Sequence, residues 1–392
     1  MAHFFSFIPH LTPVEWVLYG SLLLLFILQL FFYLSFYKRP YRYEKKRVDK
    51  LIAEEELPGV SVIITSKNDA EELEKNLPFI LEQDYPNFEV VVVNSGSTDE
   101  TDMVLKAAEQ KYTGLYHTYV PDGADAVNEK KLALTLGIKA ARYDVLLFTE
   151  AYCRPCSSRW LREFGKEFAQ KGNEVVLGYN RLHVEKKVAG RRFIRYDNLL
   201  HHLKFLSMAI AGKPFMGLGR NMAYKKALFF EQKGFSSVLN IEGGEDDLFI
   251  NRVGRKKKTG VVLSPAGMTE SGIVDSFSTW KALKSKYNYT KQLYEGFSAH
   301  LFGWETASRY AFYMVFVALL LYGVTRSNPI AIGVSLLLFL ARFLVQLATI
   351  NKSGQLFDGK RYHLNLIWFD VVQPIINQRF RLYANRRNRG VF

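Results

Sequence analysis

The sequence predicts an α/β domain built on a mostly parallel central sheet and carried between transmembrane helices at both ends of the chain. Three observations predict it. Apolar runs of strand length alternate with amphipathic stretches through the middle of the chain, the pattern of strands joined by right-handed helical crossovers and covered on both faces. Trp16 to Tyr37 is a run of 22 residues without a charge. Near the other end, Ala307 to Thr325 and Pro329 to Ile350 form two apolar stretches separated by the turn-forming Arg326-Ser327-Asn328, which reads as a helical hairpin.

The first run exceeds the roughly 20 residues needed to cross a bilayer core of about 30 Å. A cleaved leader is disfavoured, because the charge follows the apolar run and no small-residue cleavage site comes after it. Lys38-Arg39 and Lys45-Lys46-Arg47 follow this span, and Arg386-Arg387-Asn388-Arg389 lies in the tail. Basic flanks place the middle and the end of the chain in the cytoplasm and the N-terminus outside. The chain is therefore expected in the inner, cytoplasmic membrane as a multi-pass protein. Its 52 Lys+Arg against 38 Asp+Glu crowd beside apolar runs, which points to anionic headgroups and not to nucleic acid. The expected division is an anchor at 1–40, a charged linker at 41–57, a cytoplasmic domain at 58–300, a hairpin at 301–350 and a basic interfacial tail at 351–392. Arg342, inside the last span, is expected to snorkel toward the cytoplasmic side. Residues 361–379 read as an interfacial helix, interrupted as a span by Asp370 and Pro374.

Within the domain, VSVIIT at 60–65 reads as a strand, 70–83 as a helix, FEVVVVN at 88–94 as a strand and 99–110 as a helix. An amphipathic stretch at 128–141 leads to the buried-type strand DVLLFTE at 144–150. Parallel sheets bind ligands at the carboxyl ends of their strands. Thr65 to Asp69, Asn94 to Asp99 and Glu150 to Arg154 therefore belong to one crevice. There is no GxGxxG after the first strand and no P-loop, so the dinucleotide and P-loop readings lack their phosphate cradles. Cys153 and Cys156 form CRPC, but a structural zinc needs about four ligands and no matching pair exists. Two reduced thiols are expected.

The stretches SVIIT, QDYPNFEVVVVNSGSTDET, KKLALTLGIKAARYDVLLFTEAYCRP, GRNMAYKK at 219–226 and GGEDDLFINR at 243–252 occur in this order. The chain resembles, over roughly residues 58–300, a membrane-anchored bacterial member of the family 2 glycosyltransferases. The resemblance implies an A-type glycosyltransferase fold and a nucleotide-diphosphate sugar as donor. It places Thr65, Ser66 and Asp69 at the nucleoside, with Asn94 and Ser95 standing where the family has acids. The family's Asp-x-Asp becomes Glu150 and Tyr152, so Mg²⁺ or Mn²⁺ would rest on Glu150 alone. Otherwise Lys130, Lys131 and Arg154 would neutralise the diphosphate without metal. Glu245, Asp246 and Asp247 match the acidic motif that carries the catalytic base, with Asp246 the expected base and Asp247 the next candidate.

Arg220, Asn221 and Trp280 fall on the acceptor side of this resemblance, and WKALKSKYNYTKQLY at 280–294 resembles the interfacial helix of membrane members. The Gln-x-x-Arg-Trp motif of processive enzymes is absent. The implied reaction is inverting, non-processive transfer of one sugar to a lipid-linked or membrane-proximal acceptor. The alternative is a catalytically inactive member acting as membrane scaffold or partner subunit, since two ligand-binding corners are altered.

Overall fold

A computed structural model describes residues 12–48, 52–121, 129–254, 257–357 and 359–389. The N-terminus expected outside the membrane, and Asn128 at the head of the predicted amphipathic stretch, lie outside the described residues. Helix α1 (Pro13–Phe32) starts on a capping box, Thr12 accepting from Glu15 N–H while the Glu15 carboxylate accepts from Thr12 N–H. It runs through a π turn at Tyr33–Tyr37 into α2 (Arg39–Lys46). The first residues of the predicted linker are thus helical.

The domain proper follows as β1 (Val60–Ser66), α3 (Ala70–Leu81), β2 (Phe88–Asn94), α4 (Thr101–Lys111), β3 (Leu115–Tyr119), α5 (Glu129–Ala140), β4 (Val145–Glu150) and β5 (Cys153–Pro155). Next come α6 (Trp160–Lys171), β6 (Val175–Gly178), β7 (Asn180–Val184), α7 (Arg191–Ile210), β8 (Met222–Lys225), α8 (Lys226–Glu231) and α9 (Asp247–Val253). The chain ends with β9 (Thr259–Val262), β10 (Thr269–Val274), α10 (Phe277–Thr290), α11 (Phe297–Thr325), α12 (Pro329–Phe357) and α13 (Asn365–Arg389). Seven strands form one sheet in the order β3-β2-β1-β4-β8-β6-β9, and β5-β10-β7 form a second. In the large sheet only β8 runs antiparallel to its neighbours β4 and β6.

The apolar runs of β1 and β2 are buried on both faces, and period two sorts them between two cores. Ile63, Val91 and Val93 pack with Ile138 of α5. Val62, Ile64, Val90 and Val92 pack with Leu77 of α3. Each such side chain contributes about 1.5–3 kcal/mol relative to exposure. Gly137 lets α5 sit close, since a Cβ there would lie 2.9 Å from Ile63 and 3.1 Å from Val93.

Among the described residues, three helices are long and apolar enough to cross a membrane: α1 continued through α2, α11 and α12. Arg342 does not snorkel. It is buried among the spans, with Nη2 2.8 Å from Asp370 Oδ2 and 2.9 Å from Gln29 Oε1. Asp370 is buried as well, and its Oδ1 lies 3.1 Å from Arg309, which donates in turn to Glu305 at 2.6 Å. Hydrocarbon solvates no charge, so these groups are satisfied inside the protein. The expectation failed because Arg342 meets its acid from α13, which passes through Pro374 as one helix. Cys153 is buried and Cys156 exposed, both as free thiols.

Candidate active site

The sheet register sets the predicted polar groups side by side. Thr65 pairs with Glu150, and Ser66 with Asn94. The first two loops are then knitted together: Ser95 N–H donates to Ser66 O (2.8 Å), Asn68 N–H to Ser97 Oγ (2.9 Å) and Ala70 N–H to Asp99 (3.1 Å). Asn94 Oδ1 accepts from the N–H (3.1 Å) and Oγ (2.7 Å) of Ser97, so its carboxamide oxygen shapes the turn. Asp69 caps this corner, and burial raises its carboxyl above the ordinary value. With Tyr152 and Arg154 it lines an open cleft of about 590 Å³. Arg154 is held there by Glu270 at 3.1 Å. The Tyr152 phenol is pushed well above its ordinary range by burial and by Glu150, and stays neutral.

The acidic motif opens α9. Gly243 and Gly244 take φ of +84° and +86°, which a side chain rarely tolerates, and the chain then turns into the helix with Asp246 as its cap. Asp246 Oδ1 accepts from Asp247 N–H (2.8 Å), and Oδ2 accepts from Gly219 N–H (3.0 Å) and the Tyr287 hydroxyl (2.9 Å). Antiparallel pairing of β8 with β4 brings the preceding Gly219 and Arg220 to the end of β4. Thr65, Lys130, Glu150, Gly219, Glu245 and Asp246 thus line one small void of about 20 Å³, room for about one water.

Charges in this cluster are matched closely. Lys130 Nζ lies 2.6 Å from Glu150 and 3.7 Å from Glu245, and Lys286 Nζ lies 2.8 Å from Glu245. Burial disfavours the Lys130 ammonium, but Glu150 and Glu245 over-compensate and raise its pKa. Burial likewise opposes the Glu245 carboxylate, yet Lys286 and Lys130 bring it far below the ordinary value. Asp247 has a different role. It is fully buried, accepting from the Thr290 hydroxyl, from the Tyr294 hydroxyl (2.7 Å) and from Leu248 N–H (2.7 Å). Burial, and then the Asp246 charge, push its carboxyl up to about 7.

Other predicted residues lie elsewhere. Lys131 turns away and donates to Ile241 O (2.6 Å). Asn221 is buried and fully used, donating to Tyr179 O (2.8 Å) and Gly267 O (3.0 Å) and accepting from the Trp160 indole (3.0 Å). Trp280 packs in the core against Phe193 and Phe380. Arg220 is buried with Nε and Nη1 unpartnered among the described residues, in the field of Tyr287, Tyr152 and Asp246. Lys286 and Tyr287 were missed as site residues; their signal was the spacing of polar groups along 280–294, which places Lys286, Tyr287 and Thr290 against the acids.

The strand end offers little to a divalent cation. Glu150 spends Oε1 on Lys130, the residue two positions on is a neutral phenol, and no cluster of three or more His, Cys, Asp or Glu among the described residues has metal-binding geometry.

Residues 61–231 match the family described as Glycosyl transferase family 2. The glycosyltransferase AglE of Haloferax volcanii is 31% identical over 124 residues, covering 31% of this chain and 39% of that protein. The poly-beta-1,6-N-acetyl-D-glucosamine synthase of Staphylococcus aureus is 27% identical over 151 residues, 38% of this chain and 32% of that one. Both matches therefore span well under half of the relative. Among solved structures, the mannosyltransferase PcManGT from Pyrobaculum calidifontis, in complex with GDP-Man and Mn²⁺, gives a TM-score of 0.55 at 20% identity. That likeness covers 88% of this chain and 100% of that one. At this identity it speaks for the fold, which is the A-type glycosyltransferase fold.

Proposed function

Taking residues 61–231 as a glycosyl transferase family 2 domain, we propose that the chain moves one sugar from a nucleotide-diphosphate donor to a lipid-linked or membrane-proximal acceptor. Transfer takes place at the cytoplasmic face of the inner membrane, inverting and without processivity. The observation that carries the reading is Asp246, oriented by Gly219 N–H and the Tyr287 hydroxyl toward the void it shares with Glu150 and Lys130.

In this reading Asp246 accepts the acceptor hydroxyl's proton as the oxygen forms its bond to the anomeric carbon. The anomeric bond to the diphosphate breaks, and the leaving group departs with the electron pair. Lys130 neutralises it once the phosphates have displaced Glu150, and the unpartnered nitrogens of Arg220 face the same charge. Thr65, Ser66 and Asp69 hold the nucleoside end. In this reading Lys130 and Arg220 carry the charge, and no step is routed through a metal.

Removing a general base typically costs about 10²–10⁴ in rate. Asp246→Asn should therefore abolish measurable donor consumption by chain reconstituted in membranes of a producing cell. Asp247→Asn, a buried neighbour without access to an acceptor, should stay within about tenfold of the parent, since it leaves the proton transfer untouched. Undiminished turnover in Asp246→Asn would remove the mechanism. A second reading, an inactive scaffold, has one observation in its favour: the void that Lys130 and Glu150 line has room for about one water. Calorimetry with UDP and GDP separates the two, since a scaffold binds neither.

A further inference from the structure

Behind α10 lies a second cleft, of about 500 Å³, that the transferase reading does not use. Its floor is the first turns of α11, with Ala299, Phe302 and Gly303, immediately before that helix's apolar stretch. The opening therefore lies at the level where α11 enters the bilayer. Three cations converge on it from distant parts of the chain: Lys204 of α7, Lys291 of the 3₁₀ turn after α10, and Arg381 of α13.

These cations are poorly matched by acids. Lys204 finds Glu305 at 3.8 Å, but Glu305 is already bonded to Arg309 through both oxygens, at 2.8 and 2.6 Å. Arg381 donates only to the neutral Gln378 (2.9 Å), and neither it nor Lys291 has an ion pair among the described residues. The crowding is felt by the groups themselves. Burial draws Lys204 down to about 7 against the pull of Glu305. The charges of Arg309 and Lys291 also lower Lys204. Like charges gathered from separate elements repel one another, and an anion seated among them would offset that cost.

We propose that this cleft binds a phosphate-bearing anion, presented as the headgroup of a lipid in the cytoplasmic leaflet. The three cations match phosphate oxygens, and the apolar floor against α11 matches the start of an acyl or prenyl chain. The site goes beyond the transferase reading and does not depend on catalysis. It does lie one helix away from the acids, since α10 also carries Lys286, Tyr287 and Thr290 against Glu245, Asp246 and Asp247.

The test is native mass spectrometry of the full chain in mild detergent, offered phosphatidylglycerol, phosphatidylcholine or inorganic pyrophosphate. The parent should retain phosphatidylglycerol at least about tenfold over phosphatidylcholine, the scale of one lost charge-assisted contact. K291Q/R381Q should lower retention to the phosphatidylcholine level, whereas K352Q, at an exposed lysine of α12 outside the cleft, should leave it unchanged. Lys291 and Arg381 are both exposed, and an unaltered unfolding midpoint shows that the double variant is folded; should it not be, R381Q alone carries the test. No preference for phosphatidylglycerol, or one that survives K291Q/R381Q, overturns the proposal. Pyrophosphate binding with the same residue dependence, without lipid binding, keeps the phosphate site and overturns the lipid source. UDP and GDP binding in the double variant should be unchanged, so failure here leaves the transferase reading standing.

Discussion

Asp247→Asn is predicted to stabilise the protein at neutral and alkaline pH. The Asp247 carboxyl is fully buried beside Asp246, and its pKa stands at about 7 against an ordinary 3.8. A carboxyl whose folded pKa is raised favours the fold while protonated. That contribution is whole below about pH 4 and is lost as pH rises through about 7. At 1.36 kcal/mol per pH unit the penalty at pH 8 reaches up to about 4 kcal/mol. Asparagine removes the charge and keeps the shape. Its oxygen still accepts from Leu248 N–H, while the Thr290 and Tyr294 hydroxyls, which now donate to the carboxylate, turn to accept from the new amide. Unfolding midpoints of parent and variant, followed in detergent at pH 5 and pH 8, give the reading. The variant should gain several degrees at pH 8 and much less at pH 5. A midpoint below the parent at both values would show that Asp247 is needed as a carboxylate.

Lys130→Gln should weaken UDP or GDP binding by at least about tenfold in calorimetry, because one charge-assisted contact to phosphate contributes about 1.5–3 kcal/mol; unchanged affinity would take Lys130 out of the donor site. Adding Mn²⁺ should change the parent's nucleotide affinity less than about threefold, since Lys130 and the unpartnered nitrogens of Arg220 already supply cations for the diphosphate. A large metal dependence lost in Glu150→Ala would refute this. Asp370→Ala should cost about 3–5 kcal/mol, the usual penalty for breaking a buried pair, because Arg342 then has no acid while Arg309 keeps Glu305; an unfolding midpoint near the parent's would show water reaching the network. Gly243→Ala should destabilise by about 1–2 kcal/mol, as expected for an L-residue forced to positive φ, and its Cβ would displace Lys286 from Glu245. Retained stability and activity in Gly243→Ala would argue against a fixed turn before α9.

Much of the fold was legible because the strands of the first half are continuous apolar runs with polar ends. β1, β2 and β4 stand where VSVIIT, FEVVVVN and DVLLFTE predict. β3, LYHTY, went unread because it is an edge strand with polar and half-exposed positions, and so carries no apolar run. The short β5, β7 and β10 are set by pairing with one another, which no local pattern encodes. In the site, residues close in sequence were legible as one acidic motif, but not the different surroundings of its members. Burial and partners separate Asp246 from Asp247, whose partners Thr290 and Tyr294 come from the end of α10 and from just beyond the 3₁₀ turn that follows it. Arg342 shows the same limit: its acid lies 28 residues away on another helix.

The π turn that joins α1 to α2 contains no glycine, and Arg39 at the start of α2 is tied to α7 by a 2.8 Å bond to Ser207 O. Tyr33, within the turn, reaches Asp370 of α13 at 3.3 Å. The sheet is therefore clamped to its spans and has no swivel. Were Asp246 the base proposed above, a mount of this kind would work as a depth gauge, holding it at one height above the bilayer so that only hydroxyls carried to that height would come within its reach. Acceptors would then be sorted by the length of what joins their reactive group to the membrane as much as by the chemistry of the group itself.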